Sequence, residues 1–288
     1  MKLGFSSLSL FMKSLEEILE VATNDGFDLI EILCEGPYWP RNLLNKDTNL
    51  RENTTTNIDL NQRSIANSIN NLVKYPSKLK NMDLEIFNSY DIEITLHSPT
   101  IDLNPASMNE GIREETIKQT KEALDLGAKI GATAITTHPG IVHRREERIR
   151  NLAIEFSIDA LRTCQIYAED LGVVFSVENM PNKQNFLANT PEEHKYIVET
   201  VGCSTTIDWG HANTYENPNE FLNIPNISYF HLNDNMGKKD SHLPIGEGSA
   251  DFSSSFLNNV KRGIIELNDY EHVLKGKKYI FDRLKGFS

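Results

Sequence analysis

The feature that most constrains this chain is an alternation. Short runs of β-branched and apolar residues recur at Lys2–Ser7, Leu29–Leu33, Ile92–His97, Ala134–His138, Val173–Glu178, Thr205–Asp208, Ile227–His231 and Gly263–Glu266, and longer stretches of helical period separate them. Runs of this length read as strands buried on both faces, and the helical stretches between them are long enough to serve as crossover connections. Eight such units predict an α/β fold in which a parallel sheet closes on itself, the TIM (β/α)8 barrel. That architecture uses about 250 residues as one unit. The 288 residues present are therefore read as a single barrel domain, 1–288, with no linker dividing it.

Local signals agree. Ser14 with Glu17 three residues on predicts a capping box, and Thr190, Pro191 and Glu193 repeat the logic with proline at the first helical position. Gly26, Gly127 and Gly172 are expected at helix ends. One segment breaks the rhythm, an Asn-rich insertion at about 36–80 after the second strand. It holds nine asparagines between Asn42 and Asn71, together with Tyr38, Trp39, Arg41 and Arg51. Loops this long are either tolerated excursions or functional elements. As a lid over the mouth of the barrel, the insertion would offer Tyr38 and Trp39 as substrate-binding rings.

Composition bounds the partners. Acidic residues outnumber basic ones by 41 to 29, and the net charge of -12 weighs against broad attraction to a polyanion unless metal ions offset it locally. Cys34, Cys164 and Cys203 are widely spaced and odd in number, which reads as reduced core residues of a cytoplasmic protein. No run is long enough to span a membrane, and the first residues do not resemble a secretory signal.

The chemistry sits at the strand ends. His97, His138, Glu178, Asp208, His211, His231, Asp240, His242 and Glu266 each fall at or just past the end of an apolar run or in the loop after it. Singly, each has an ordinary structural explanation, such as a helix cap for Asp208. Together they converge, because the C-terminal ends of all strands meet at one mouth. Carboxylates and imidazoles crowded there need compensating cations, and this mixture suits zinc, or manganese where oxygen ligands dominate. In Asp208-Trp209-Gly210-His211 the strand turns into a helix and both ligands face the mouth. In Asp240-Ser241-His242 two ligands one residue apart share a side. His194 and His272 are expected at the surface, His143, Arg144 and Arg145 at a solvated helix start, and Gly246-Glu247-Gly248 in a turn.

On these segments, with Leu96-His97-Ser98-Pro99, Thr137-His138-Pro139-Gly140, Val177-Glu178-Asn179, Phe230-His231-Leu232-Asn233-Asp234 and Ile265-Glu266-Leu267, the chain resembles the endonuclease IV and xylose isomerase-like superfamily. The resemblance implies up to three zinc ions. His97, His138 and Glu178 would hold one, Asp208, His231, Glu266 and a bridging Glu178 the second, and His211, Asp240 and His242 the third. It also implies hydrolysis of a phosphodiester, with abasic DNA as substrate. Asn179 would orient Glu178 and help bind substrate. The sequence departs from true endonucleases at Thr100, where an aromatic residue is usual, at Ser241 in place of arginine, and in a shorter loop from His231 to Asp240. The alternative drawn from the same superfamily is a sugar or sugar-phosphate isomerase or epimerase. It would hold one Mn2+ or Mg2+ on Glu178, Asp208, His231 and Glu266, with Glu178 and Glu266 as the catalytic pair moving a proton between carbons.

Overall fold

The structure, a computed structural model, describes residues 1–44, 84–144 and 146–286. Eight strands, β1 (Lys2–Ser6), β2 (Leu29–Leu33), β3 (Glu93–His97), β4 (Ala134–Thr137), β5 (Phe175–Glu178), β6 (Ser204–Asp208), β7 (Ile227–Leu232) and β8 (Arg262–Ile265), close into a barrel in sequence order. Every neighbouring pair is parallel, and β1 returns to β8 with Gly4 opposite Ile264. The expected α/β barrel is what forms, with strand limits shifted by at most two residues. Of the insertion at about 36–80, only residues 36–44 fall within the described residues, and Arg51 and Arg145 lie outside them.

Side chains alternate across each strand. Those pointing outward, among them Leu3, Phe5, Ile30, Ile32, Leu96, Ile135, Phe175, Val177, Ile207, Phe230, Leu232 and Ile265, join one large apolar core beneath the helices. Inside the barrel the apolar layer is small, Leu29, Ala134, Tyr229 and Ile264. Above it lies a layer of hydroxyls. Thr136 Oγ1 is 2.6 Å from Thr206 Oγ1 and 2.5 Å from the Tyr229 hydroxyl, and Ser176 Oγ is 2.6 Å from Thr206 Oγ1. A barrel centre is commonly filled by branched aliphatics. Here a satisfied polar network fills it instead, which fixes side-chain positions at the cost of apolar burial.

The caps explain where helices start and stop. Ser14 and Glu17 form the reciprocal box ahead of the helix Leu15–Asn24. Thr190 caps Pro191–Val201 through the Glu193 amide at 3.2 Å, but the Glu193 carboxylate turns to Arg150 at 2.7 Å and to the Ala188 amide instead of completing a box. Gly26 and Gly172 adopt left-handed backbone at helix ends as expected. Gly127 does not. The helix Glu110–Ile130 runs past it to Gly131, and a Cβ on Gly127 would stand 2.4 Å from the Ile135 side chain, so this glycine serves close packing against β4. The three cysteines are buried and unpaired. No helix among the described residues is long and apolar enough to cross a membrane.

His194 corrects a second expectation. It lies inside, fully buried, with its Nε2–H donated to the Val177 carbonyl at 3.0 Å behind the site-bearing end of β5. Burial pulls its pKa down to about 4 from 6.5, only partly opposed by that hydrogen bond. The unfolded chain takes up this proton near pH 6.5 and the folded protein only near pH 4, so the contribution of neutral His194 is full above 6.5 and is lost as pH falls toward 4. Urea titrations should show wild type losing about 3 kcal/mol relative to His194→Gln across that window. Parallel pH curves for the two proteins would contradict this account.

Candidate metal centre

The inward positions at the C-terminal ends of the strands carry the ionisable groups. His97 ends β3, Glu178 ends β5 and Asp208 ends β6, while His138 and Glu266 stand one residue past β4 and β8 and His231 is the penultimate residue of β7. Register places Asp208 beside His231. Asp208 also caps the short helix Trp209–Asn213, its carboxylate accepting the His211 amide at 2.5 Å, so one residue both ends the strand and aims the next ligand. All nine sequence-predicted ligands gather in three groups. These are His97, His138 and Glu178, then Glu178, Asp208, His231 and Glu266, and finally His211, Asp240 and His242, with the donor atoms within each group no more than 4.8 Å apart.

Glu178 is shared by two groups, and its oxygens divide between them. Oε2 lies 3.2 Å from His138 Nε2 and 3.4 Å from His97 Nε2, while Oε1 lies 2.9 Å from His231 Nδ1 and 3.6 Å from His211 Nδ1. The third group connects through Asp240, whose Oδ2 is 3.4 Å from His211 Nε2 and 3.1 Å from His242 Nε2. His242 sits at φ 44°, a left-handed conformation uncommon for a side-chain-bearing residue, and this strained turn brings it back beside Asp240.

Most of the imidazoles are anchored through the nitrogen turned away from the group. His97 Nδ1–H donates to the Ser98 carbonyl at 3.0 Å, His211 Nδ1–H to the Asn179 carbonyl at 2.8 Å and His242 Nδ1–H to the Glu266 carbonyl at 3.0 Å. Such contacts fix the tautomer and leave the inner nitrogen free to ligate. Asn179 clamps β5 to β6, accepting the Asp208 amide at 2.7 Å and donating to the Asp208 carbonyl at 3.0 Å, so it positions Asp208 and His211 more than Glu178. Asn233 donates to Asp208 Oδ2 at 2.7 Å.

Electrostatics fit a cation site. Burial opposes charge on His211 and His242, yet the surrounding carboxylates push both up to about 10, and His97 is pushed up to about 9 in the same way. Burial also works against a charged Glu178, but His231, His138 and His97 outweigh it and hold the carboxyl well below its usual range. Asp208 goes the other way, to about 7, through burial and the neighbouring Glu178, Glu266 and Asp240, with His211 opposing. In the protein alone, protons on histidine supply the positive charge that holds the carboxylates together. Divalent ions do the same with the imidazoles neutral, releasing those protons. The donor set of imidazole and carboxylate suits zinc and, around the carboxylate-rich central group, manganese. Access is one-sided, since Glu178, Asp208 and His231 are buried while the side chains of His138 and His242 are 31% and 22% exposed.

Several neighbours carry no ligand but hold the mouth together. Asp234 accepts the amides of Gly246, Gly248 and Ala250, so the Gly246-Glu247-Gly248 turn wraps its carboxylate, and a Cβ on Gly248 would collide with it at 2.2 Å. The antiparallel bridge Asp234–Leu243 then returns the Asp240–His242 segment over the barrel. Glu31, absent from the sequence-derived set, lies fully buried on β2 with Oε2 2.9 Å from His231 Nε2. Its signal was a carboxylate inside the otherwise apolar run Leu-Ile-Glu-Ile-Leu.

Tyr38 and Trp39 do not fulfil the expectation of stacking rings. Tyr38 is fully buried, edge-on to Phe11, with its hydroxyl donated to the Lys13 carbonyl at 2.6 Å. Trp39 donates from Nε1 to Gln119 at 3.0 Å and lies under Arg41, which pairs with Glu122 and Glu115. Both rings dock the start of the insertion onto the body of the barrel.

The chain is similar to several known proteins. The chain is 31% identical over 262 residues to an uncharacterized protein of Methanocaldococcus jannaschii, covering 88% of this chain and 77% of that protein. It is 27% identical over 180 residues to a probable endonuclease 4 of Thermoplasma acidophilum, covering 56% and 61% respectively. A D-tagatose 3-epimerase-like protein of known structure superposes with a TM-score of 0.77 at 27% identity, covering 100% of this chain and 98% of the other. Residues 76–272 match the model of the xylose isomerase-like TIM barrel family, and with the closed barrel of eight parallel strands this establishes that the chain belongs to that family.

Proposed function

We propose that this protein hydrolyses a phosphodiester, with abasic DNA as the substrate to test first, using up to three zinc ions held by the nine clustered ligands. The observation that carries the reading is the division of the two Glu178 oxygens between separate histidine groups, the geometry of a bridging carboxylate. A single-ion site has no use for His97, His138, His211, Asp240 and His242 gathered at ligand spacing beside it. Bound divalent ions would supply charge neutralisation on phosphoryl oxygens and activation of water. The chain's own residues hold and orient. Asp208, His231 and Glu266 complete the central group, and the partly exposed edge at His138 and His242 leaves one approach for a substrate. Exposed Arg144, Lys183, Lys238 and Lys239 lie in the segments after β4, β5 and β7, and basic groups there would assist an anionic substrate.

A second reading has its own support. Glu178, Asp208, His231 and Glu266 form a four-ligand group complete in itself, and the D-tagatose 3-epimerase-like relative matches over the full chain. One Mn2+ or Mg2+ there, with Glu178 and Glu266 as the proton-moving pair, would serve a sugar or sugar-phosphate isomerase or epimerase.

Metal counting separates the two. Glu178→Gln should lose metal from both groups it joins and reduce turnover by more than the roughly 10–100-fold that removal of an outer hydrogen-bond partner costs. His211→Ala should leave two ions of three, and unchanged metal content in that variant would favour the single-ion reading. The zinc-loaded protein should nick a duplex containing one abasic site, with activity falling steeply as salt rises. Failure to nick, combined with interconversion of a ketose pair, would replace the first reading by the second.

A further inference from the structure

We infer that Glu31 is a positioning residue for the central metal group, setting the tautomer and donor strength of His231. The inference rests on the metal-centre reading above and goes beyond its nine ligands. His231 is fully buried, with Nδ1 turned to Glu178 Oε1 at 2.9 Å and to Glu266 Oε2 at 3.5 Å, which makes Nδ1 its ligating atom. Its Nε2 points the opposite way, 2.9 Å from Glu31 Oε2. A proton held on Nε2 by this contact leaves the Nδ1 lone pair directed at the group. The three other anchored imidazoles of the centre lean on neutral carbonyls of Ser98, Asn179 and Glu266. Among these four only His231 has a carboxylate within hydrogen-bond distance of its outer nitrogen, since the carboxylates nearest His211 Nδ1 stand 3.6 and 3.8 Å away. A negative outer partner makes the imidazole a stronger donor, so the strengthened ligand belongs to the group that also holds the bridging Glu178.

Glu31 is itself held by the interior of the barrel. The Tyr229 hydroxyl donates to the same Oε2 at 2.8 Å, and the hydroxyl network continues through Thr136, Thr206 and Ser176 to Ser228 Oγ, 2.9 Å from Ser176. Four consecutive strands, β4 to β7, therefore brace one carboxylate supplied by β2. Structural stability does not explain Glu31 by itself. No Lys or Arg reaches it among the described residues, and its Oε1 has no hydrogen-bond partner there. A buried carboxylate in that state is costly, and an apolar side chain of similar volume would serve packing better.

The test is a Co2+ titration of the metal-free protein, read by chelator competition and by the visible absorption of bound cobalt, in wild type, Glu31→Gln and Tyr229→Phe. Glu31→Gln keeps the shape and removes the charge. It should weaken one cobalt site by roughly 10–100-fold and alter that site's absorption band while the other sites titrate as in wild type. Tyr229→Phe, which keeps the ring in place, should weaken the same site less, on the order of fivefold, a fraction of the worth of its hydrogen bond to the charged Glu31, and carries the test if the glutamine variant does not fold. Unchanged affinity and spectrum in the variants, or equal weakening of every site, would overturn the positioning role and leave the metal centre standing. Wild-type protein that binds no cobalt would overturn both.

Discussion

Everything at the mouth of this barrel depends on burying carboxylates and imidazoles within a few ångströms of one another. Isolated buried charges of either sign are costly, and neighbouring carboxylates repel strongly at low dielectric. Glu178 resolves this locally, since both of its oxygens face histidine nitrogens and nothing apolar competes for them. Rigid strands make the solution possible. His97 and His231 have their backbones paired in register on both sides, and Glu178 and Asp208 on one side at the ends of strands flanked on both, so their positions do not rely on the clustered side chains themselves. The less constrained group, His211, Asp240 and His242, comes from a short helix and a loop. It needs the additional hold of Asp234 on the Gly246–Ala250 turn and the strained backbone of His242.

The barrel was legible in the sequence because two periodicities coincide with chain length. Strand runs are short and β-branched, helices are amphipathic, and eight such alternations within one chain of this length fit a parallel sheet closed into a barrel. The clustering of the candidate ligands was legible because most of them break the apolar runs at their C-terminal ends. Glu31 was missed for the same reason that the others were found. It interrupts β2 two residues before the strand ends, and attention to strand ends passes over an interior acid, although side-chain alternation puts Glu31 on the same inner face as His97 and Glu178. Tyr38, Trp39 and His194 show the opposite limit. Residue type marks an aromatic ring or an imidazole as available for chemistry, but only tertiary packing decides whether its polar atom meets substrate or a backbone carbonyl. Gly127 illustrates a similar ambiguity, since close helix–strand approach and helix termination favour the same residue.

The two functional readings diverge at a point where the fold is indifferent. A probable endonuclease 4 and a D-tagatose 3-epimerase-like protein are both similar to this chain, and function on a shared fold is decided at the site. The choice rests on the ligands outside the central four. His97 and His138 are aimed at Glu178, and His211 and His242 at Asp240, with the outer nitrogens of His97, His211 and His242 occupied. A single ion at the central group gives no physical reason for this orientation in four additional buried or half-buried imidazoles. Surface residues would serve solubility equally well.

The polar interior links the site to the stability of the fold. A barrel centre filled with Thr136, Ser176, Thr206, Tyr229 and Glu31 gives up apolar contact there, and the main apolar core lies between strands and helices. Hydroxyl hydrogen bonds hold positions well but contribute modestly to net stability. The mouth above them is therefore ordered by directional contacts more than by packing. Ions bound only by the folded state would add their binding free energy to folding. On this view the interior network is the part of the fold that transmits order from the strands to the clustered side chains, and Glu31 is where that network meets the candidate metal centre.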